Sequence, residues 1–436
     1  MQNDLPPTQT PMALNNEWSM AYKLTFRFLC IYLLLYIFPF PLDSLPFLGE
    51  YVSELSSAIW NPTTAWFGES VLGWGEISTD ITGSGDKLAN YTQMCLFLLL
   101  AGLGTLIWSL VDRQRINYEK VQAYLEIAIR YYLAVILISY GCAKIFKTQF
   151  STPGPYRLTE QIGDMSPMGL AWTFMGYSKA FNLFTGLGEA LAGFLLFFRH
   201  TKVVGAFLGI AVMANIVAMN FCYDIPVKLF STHLLLMLFF VLWKDIPRIV
   251  NFLFRNKAVA AADFTPPWNR EKYRKLALGI KAFFILGVLY LNISTSLEQQ
   301  QTYGDNAPRP PLYGIHEMSG FSTSSQSIGD SLAQETWKEL LVQWPGTASI
   351  RYQDGSQSYY GFETDTVAQT VHLYSWRDSL NTNATFQYEQ TDTTLLLKNG
   401  VWKADTLTIA FAKKDLSGTL LLGRGFNWVS EYPYNR

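Results

Sequence analysis

The sequence predicts an α-helical polytopic membrane bundle of about seven transmembrane helices, followed by a mainly-β extramembrane domain. Three observations predict it. Half of the 436 residues are hydrophobic and only 15% are charged, where a soluble protein carries about a quarter. Apolar runs close to the ~20 residues that cross a bilayer recur through the first two thirds. The last third loses those runs and shows the period-two alternation of half-buried strands.

Seven segments are expected to span, roughly Tyr22–Leu42, Thr92–Val111, Ile127–Phe146, Ala180–Phe198, Val203–Cys222, Leu229–Trp243 and Leu276–Ser294. The start, MQNDLPPTQTPMALNNEWS, has no basic n-region and no apolar h-region. It therefore does not read as a cleaved signal, and the first segment is expected to stay in the membrane. Lys and Arg concentrate in alternate short loops: Arg113, Arg115 and Lys120; Arg199 and Lys202; then eight from Lys244 to Lys275. Basic loops stay on the cytoplasmic side. The expected placement is a bacterial inner membrane, with a cytoplasmic tail at 1–21, the bundle at 22–294, a polar Pro-rich linker at 295–311 and a periplasmic domain at 312–436.

The first outer loop, Asp43–Tyr91, holds an amphipathic stretch around Tyr51–Trp60 and the turn-rich run Thr82-Gly83-Ser84-Gly85-Asp86. Two glycines around Ser84 suit a backbone anion nest, and a plain surface turn suits them at least as well. In the tail, Thr347–Gln353, Ser358–Glu363, Thr370–Ser375, Thr385–Tyr388, Thr393–Lys398, Thr406–Phe411 and Thr419–Leu422 read as strands. Asn399-Gly400 reads as a hairpin turn, and Gln334–Gln343 as a short helix. Trp337, Trp344, Trp376, Trp402 and Trp428 are expected to build the core or line a groove.

Candidate function concentrates in the membrane segments, where ionisable residues are costly. Arg130, Ala134, Leu137, Gly141 and Lys144 fall on one helical face, and Asn182, Thr185, Gly186, Glu189 and Gly193 on another. Both stripes are small and polar, which suits close helix approach. Asn215, Asn220, Asp224, Lys228 and His233 complete the set. By the expected orientation most of these residues lie in the outer half, as a pocket open to the periplasm requires. Lys144, Glu189 and His233 suit a proton relay: a desolvated lysine can act as a base, a histidine titrates near neutrality, and a buried carboxyl holds its proton. The structural alternative has Asp224 and Lys228 paired at the start of a helix, and Glu189 paired with Arg130 or Lys144.

A metal site is not expected. The four histidines are scattered, no HxxxH pair exists, and no Cys–His cluster is present. The four cysteines contain no CxxC, and none lies in the tail, so no disulfide framework is expected there. A net charge of −1 gives no reason to expect nucleic acid.

Gly141…Lys144, Gly188-Glu189…Gly193 followed by Arg199, and MNFCYDIPVKLFSTHLLLM resemble the DoxX-like family, with its core at about 120–245. The ending Arg424-Gly425-Phe426-Asn427-Trp428 … Glu431-Tyr432-Pro433-Tyr434-Asn435-Arg436 is similar to large DoxX-like proteins of the Bacteroidetes type. That resemblance implies a membrane protein with an outer β domain, in a family linked to quinone or thiosulfate oxidation and redox stress. Gly141-Cys142-Ala143-Lys144 more distantly resembles the transmembrane domain of vitamin K-dependent gamma-carboxylases, where a lysine at this spacing is the active base. Three functions stay open: a bundle that binds a quinone or other lipophilic small molecule, an anchor whose β domain binds an envelope partner protein, and a carboxylase-like enzyme using Lys144.

Overall fold

The computed structural model describes residues 17–45, 47–262, 264, 271–323, 337–376, 383–402 and 405–434. The chain divides into two compact units: residues 1–142 with 185–293, and residues 143–184 with 294–436.

The first unit is helical. Its elements include α1 (Met20–Ile37), α2 (Gly49–Trp66), α3 (Leu88–Val111), α8 (Lys202–Cys222), α9 (Lys228–Leu242) and α10 (Ile246–Leu253), with most of α4 (Glu119–Ile145), α7 (Lys179–Leu196) and α11 (Glu271–Thr302). Among the described residues, five helices are long and apolar enough to cross a membrane: α1, α3, α4, α8 and α11. The bent pair α9 and α10, broken at 78°, makes a sixth if it counts as one span. The expected fourth segment falls on α7, whose 18 residues include Lys179, Asn182 and Glu189. These polar groups lower its hydropathy, which is why the expectation of seven exceeds the five to six spans that composition supports.

Small residues set the α4–α7 contact. A Cβ on Gly141 would come within 2.7 Å of Ala190 N and Gly186 O, and one on Gly193 within 2.8 Å of Ala134 O. The backbones touch, as the two small-residue faces predicted. One buried arginine, Arg27 of α1, joins three elements: it donates to Ser109 Oγ (2.7 Å), Asp112 O (2.9 Å) and Tyr118 Oη (2.6 Å).

The second unit is built on a closed eight-stranded antiparallel barrel. Its strands are β1 (Gly314–Thr323), β2 (Trp337–Val342), β3 (Gly346–Tyr352), β4 (Gln357–Asp365), β5 (Thr370–Tyr374), β6 (Asn383–Gln390), β7 (Thr394–Trp402) and β8 (Asp405–Lys414). Each pairs with its sequence neighbour, and β1 closes on β8. Its interior is filled by Trp337, Leu340, Ile350, Phe362, Val371, Phe386, Leu395, Ile409 and Phe411 among others. Eight strands leave room for side chains and little else.

Three expectations for the tail are corrected. Trp337–Val342, the described part of the expected helix, is strand β2; Lys338 and Glu339 gave it a helical look, while the buried run Leu340–Val342 pairs on both edges. Residues 334–336 lie outside the described residues. Asn399-Gly400 is a bulge inside β7 and not a hairpin turn: Asn399 takes the left-handed conformation (φ 58°), and Gly400 lies against the Phe386 ring, where a Cβ has no room. Leu420–Gly423 is a helical turn where a strand was expected. Strand β1, with its bulge at Met318/Gly320, had no clear alternation to reveal it. Of the tryptophans, Trp337 and Trp402 are core, whereas Trp344, Trp376 and Trp428 are exposed.

Residues 143–184, expected largely as a loop between two spans, belong to this second unit. They carry α5 (Pro155–Thr159) and α6 (Pro167–Tyr177). Helix α5 packs on β2, and Gln343 Oε1 accepts from Tyr156 N at 3.0 Å. Ile315, Leu341 and Ser349 are buried as well, although none of them belongs to the barrel-core cluster.

Candidate functional site: a histidine–tyrosine cluster in the helical unit

His233 lies in the second turn of α9. Its Nδ1 is 2.8 Å from Leu229 O, and its Nε2 is 2.6 Å from the Tyr32 hydroxyl. A carbonyl only accepts, so Nδ1 carries the proton and Nε2 accepts from Tyr32. Both ring nitrogens are thereby used. Tyr36, one turn beyond Tyr32 on α1, stacks on the imidazole at 4.1 Å and 7°.

The Tyr36 hydroxyl has no hydrogen-bond partner among the described residues, and neither has that of Tyr132 on α4. The two phenols lie within electrostatic reach of one another, and Phe40 packs edge-on against Tyr132 at 5.4 Å. A donor left open in an apolar site keeps its capacity for an acceptor brought by a ligand. Further along α4, Tyr140 lies within electrostatic reach of both Tyr132 and Glu189.

The start of α9 is held by the loop that precedes α3. Asp86 accepts from the backbone N–H of Lys228 and of Leu229, both at 2.9 Å, and Gly85 N donates to Pro226 O at 2.8 Å. The glycine run that suited an anion nest thus serves as a clip, with an aspartate capping a helix N-terminus. Lys228 also pairs with Asp224 at 2.8 Å, the structural arrangement that their spacing allowed. Beside them, Asn220 donates to Ser231 Oγ at 2.9 Å.

Other candidates fall elsewhere. Arg130 donates twice to Leu196 O at 2.9 Å and stands 3.9 Å from Glu126, which in turn holds Lys202 at 2.7 Å. Together with Lys281, which donates to Phe197 O at 2.7 Å, Arg130 satisfies the open carbonyls at the end of α7. Asn215 is exposed on α8, so it does not face the interior as a binding residue would. Glu189 is buried in α7 of the same unit. Lys144 and Asn182 are buried and belong to the second unit. There Asn182 donates to Ser178 O at 3.0 Å, and the Lys144 ammonium lies 6.0 Å from the Phe150 ring centroid. All four cysteines are free thiols, and no cluster of metal-ligating side chains occurs among the described residues.

Sequence reasoning missed Tyr32, Tyr36 and Tyr132. The available signal was the four-residue spacing of Tyr32 and Tyr36, which puts two phenols on one face of α1. It also missed Arg27, an arginine within the first apolar run.

These features define a protein with several apolar helices of membrane-spanning length and a filled β-barrel. No family model matches the chain, and no solved structure matches it. Over 143 residues, 32% of this chain and 89% of the other, it is 35% identical to the uncharacterized protein YwoB of Bacillus subtilis (strain 168). The chain belongs to the family of that protein.

Proposed function

We propose that the helical unit is a DoxX-like inner-membrane binding site for a lipophilic small molecule of the quinone class, in a redox or stress role. In this reading the chain crosses the membrane seven times, and the barrel is periplasmic. The observation that carries the proposal is the Tyr36 phenol, stacked on His233 with its hydroxyl open. A quinone offers what that site lacks, a flat ring and two carbonyl acceptors. Tyr36 and Tyr132 would donate to a carbonyl oxygen. Tyr32 and His233 would hold the ring plane, and their short hydrogen bond offers a route for a proton to a ring oxygen when a separate two-electron donor, such as a reduced flavoprotein, reduces the quinone to the quinol. Glu189, reached through Tyr140, would serve as a proton reserve.

The test is mass spectrometry of lipophilic molecules that co-purify with the full chain in mild detergent. Wild-type protein is expected to carry a quinone, and Tyr36→Phe and His233→Leu to lose most of it while eluting as folded protein. Wild-type protein free of quinone would overturn the reading.

A further inference from the structure

Within the second unit, a cleft of ≈ 750 Å³ opens at one end of the barrel, in the size range of small-molecule sites. Its walls include Ser151–Gly154, residues of the segment from Thr302 to Gly314, and the turns and strand ends around Trp344, Thr393 and Lys413.

The walls are pinned in place. Asp305 accepts from Thr152 N and Thr152 Oγ1 at 2.8 and 2.7 Å, and pairs with the buried Lys147 at 2.8 Å. Lys147 also donates to Gly176 O at 3.0 Å. Burial alone would raise the Asp305 carboxyl, but the bonds from Lys147 and Thr152 outweigh it and hold the group below its ordinary range. Asp415 is engaged by the N–H and hydroxyl of Ser417, and Lys414 pairs with Glu317 at 2.7 Å.

Two cations are left over. The Lys413 ammonium has no hydrogen-bond or ion-pair partner among the described residues. Arg309 stacks on the Tyr313 ring at 4.7 Å and likewise has no carboxylate partner among them. Asp392 and Asp415 also line the cleft, and neither is ion-paired among the described residues, so two carboxylates stand against these two cations and the carboxylate of a ligand must seat between Lys413 and Arg309, away from them. Tyr303 and Trp344 line the same cleft and are 43% and 40% exposed. Open cations next to exposed ring faces, in a pre-formed cleft, recognise an anion borne on a flat apolar body.

We propose that this cleft binds a soluble small-molecule carboxylate with an aromatic or similarly flat body, its carboxylate between Lys413 and Arg309 and its ring against Trp344 and Tyr303. The site is separate from the cluster around His233 and stands whether or not that cluster binds a quinone.

The test is ligand-observed fluorine NMR of 4-fluorobenzoate with the full chain in nanodiscs, and with empty nanodiscs as the blank. Saturable binding is expected above the blank. Lys413→Gln and Arg309→Gln should each weaken it about tenfold, the loss of one charge-assisted contact. Lys414→Gln, whose cation is already paired, should leave it within about twofold. The neutral 4-fluorobenzamide should bind at least about tenfold more weakly. The proposal is overturned by an absence of saturable binding, by equal binding of acid and amide, or by a Lys413→Gln/Arg309→Gln protein that binds like wild type. Binding of inorganic phosphate without binding of 4-fluorobenzoate would also overturn it, because the ring faces would then play no part.

Discussion

The two units handle buried polar groups in opposite ways. In the barrel nearly everything inward is apolar, and Trp337 alone packs against Phe386, Trp402 and Phe411. In the helical unit the interior holds Arg27, Arg130, Glu189, Asn220 and His233, and most are tied to an atom of another helix or loop. The difference teaches where each unit can work. A filled barrel has no room for a ligand, so its chemistry must lie on its rim or outer face. The helical unit keeps oriented polar groups inside, and among them the phenols of Tyr36 and Tyr132 stay open.

The comparison can be broken hardest at Trp337. Replacing it with Ala should cost the barrel about 3–5 kcal/mol and raise hydrogen exchange in β1–β8, while exchange in α1 and α9 stays unchanged. Equal loss of protection in both would show that the two units unfold as one. In the helical unit the counterpart is Gly141→Leu, whose Cβ alone meets backbone at 2.7 Å. Overpacking there should cost at least about 1–3 kcal/mol, read as a lower melting temperature in detergent. An unchanged melting temperature would mean that α4 and α7 do not need backbone contact.

A third prediction concerns pH and the barrel alone. His316 is fully buried in β1; its Nε2 is 2.8 Å from Leu312 O, and its Nδ1 has no partner. Burial pushes its pKa below the ordinary 6.5, the bond to Leu312 opposes this, and the nearby Lys413 adds to the lowering. The unfolded chain therefore takes up a proton near pH 6.5 before the folded one does. Barrel stability should be full above that pH and fall as the pH drops toward the folded value. His316→Leu should flatten the profile between pH 7 and 5, and a mutant with the wild-type slope would remove His316 as the cause. The smallest effect is expected for Asp86→Ala, which removes the cap on α9 and should cost about 0.5–2 kcal/mol, with exchange rising only in the first turn of α9.

Much of this was legible in the chain. Apolar runs marked the long apolar helices, and three- and four-residue steps through Gly141 and Gly193 marked the face where α4 meets α7. Alternation such as Leu407-Thr408-Ile409-Ala410-Phe411 marked β8. What failed had local causes: Trp337–Val342 carries two charged helix formers in a strand whose pairing is settled by distant neighbours, and Asn399-Gly400 is a turn signal used for a bulge. The site was only half legible. His233 stood out as a histidine among leucines. Its partners are tyrosines, which look like ordinary membrane aromatics until the fold puts a second helix beside them. The pair of Lys147 with Asp305 left no trace in the sequence, because its two members lie far apart along the chain.

The most direct test of the central claim, that the open phenols beside His233 form a quinone site, is a titration of a short-chain quinone into the full chain in nanodiscs. Binding is followed by quenching of intrinsic fluorescence against empty nanodiscs. The expected result is saturable binding that weakens about tenfold in Tyr36→Phe, the loss of one buried hydrogen bond, and disappears in a Tyr36→Phe/Tyr132→Phe protein of wild-type melting temperature. Saturable binding that is indifferent to both phenols, or none in the wild type, would contradict the account.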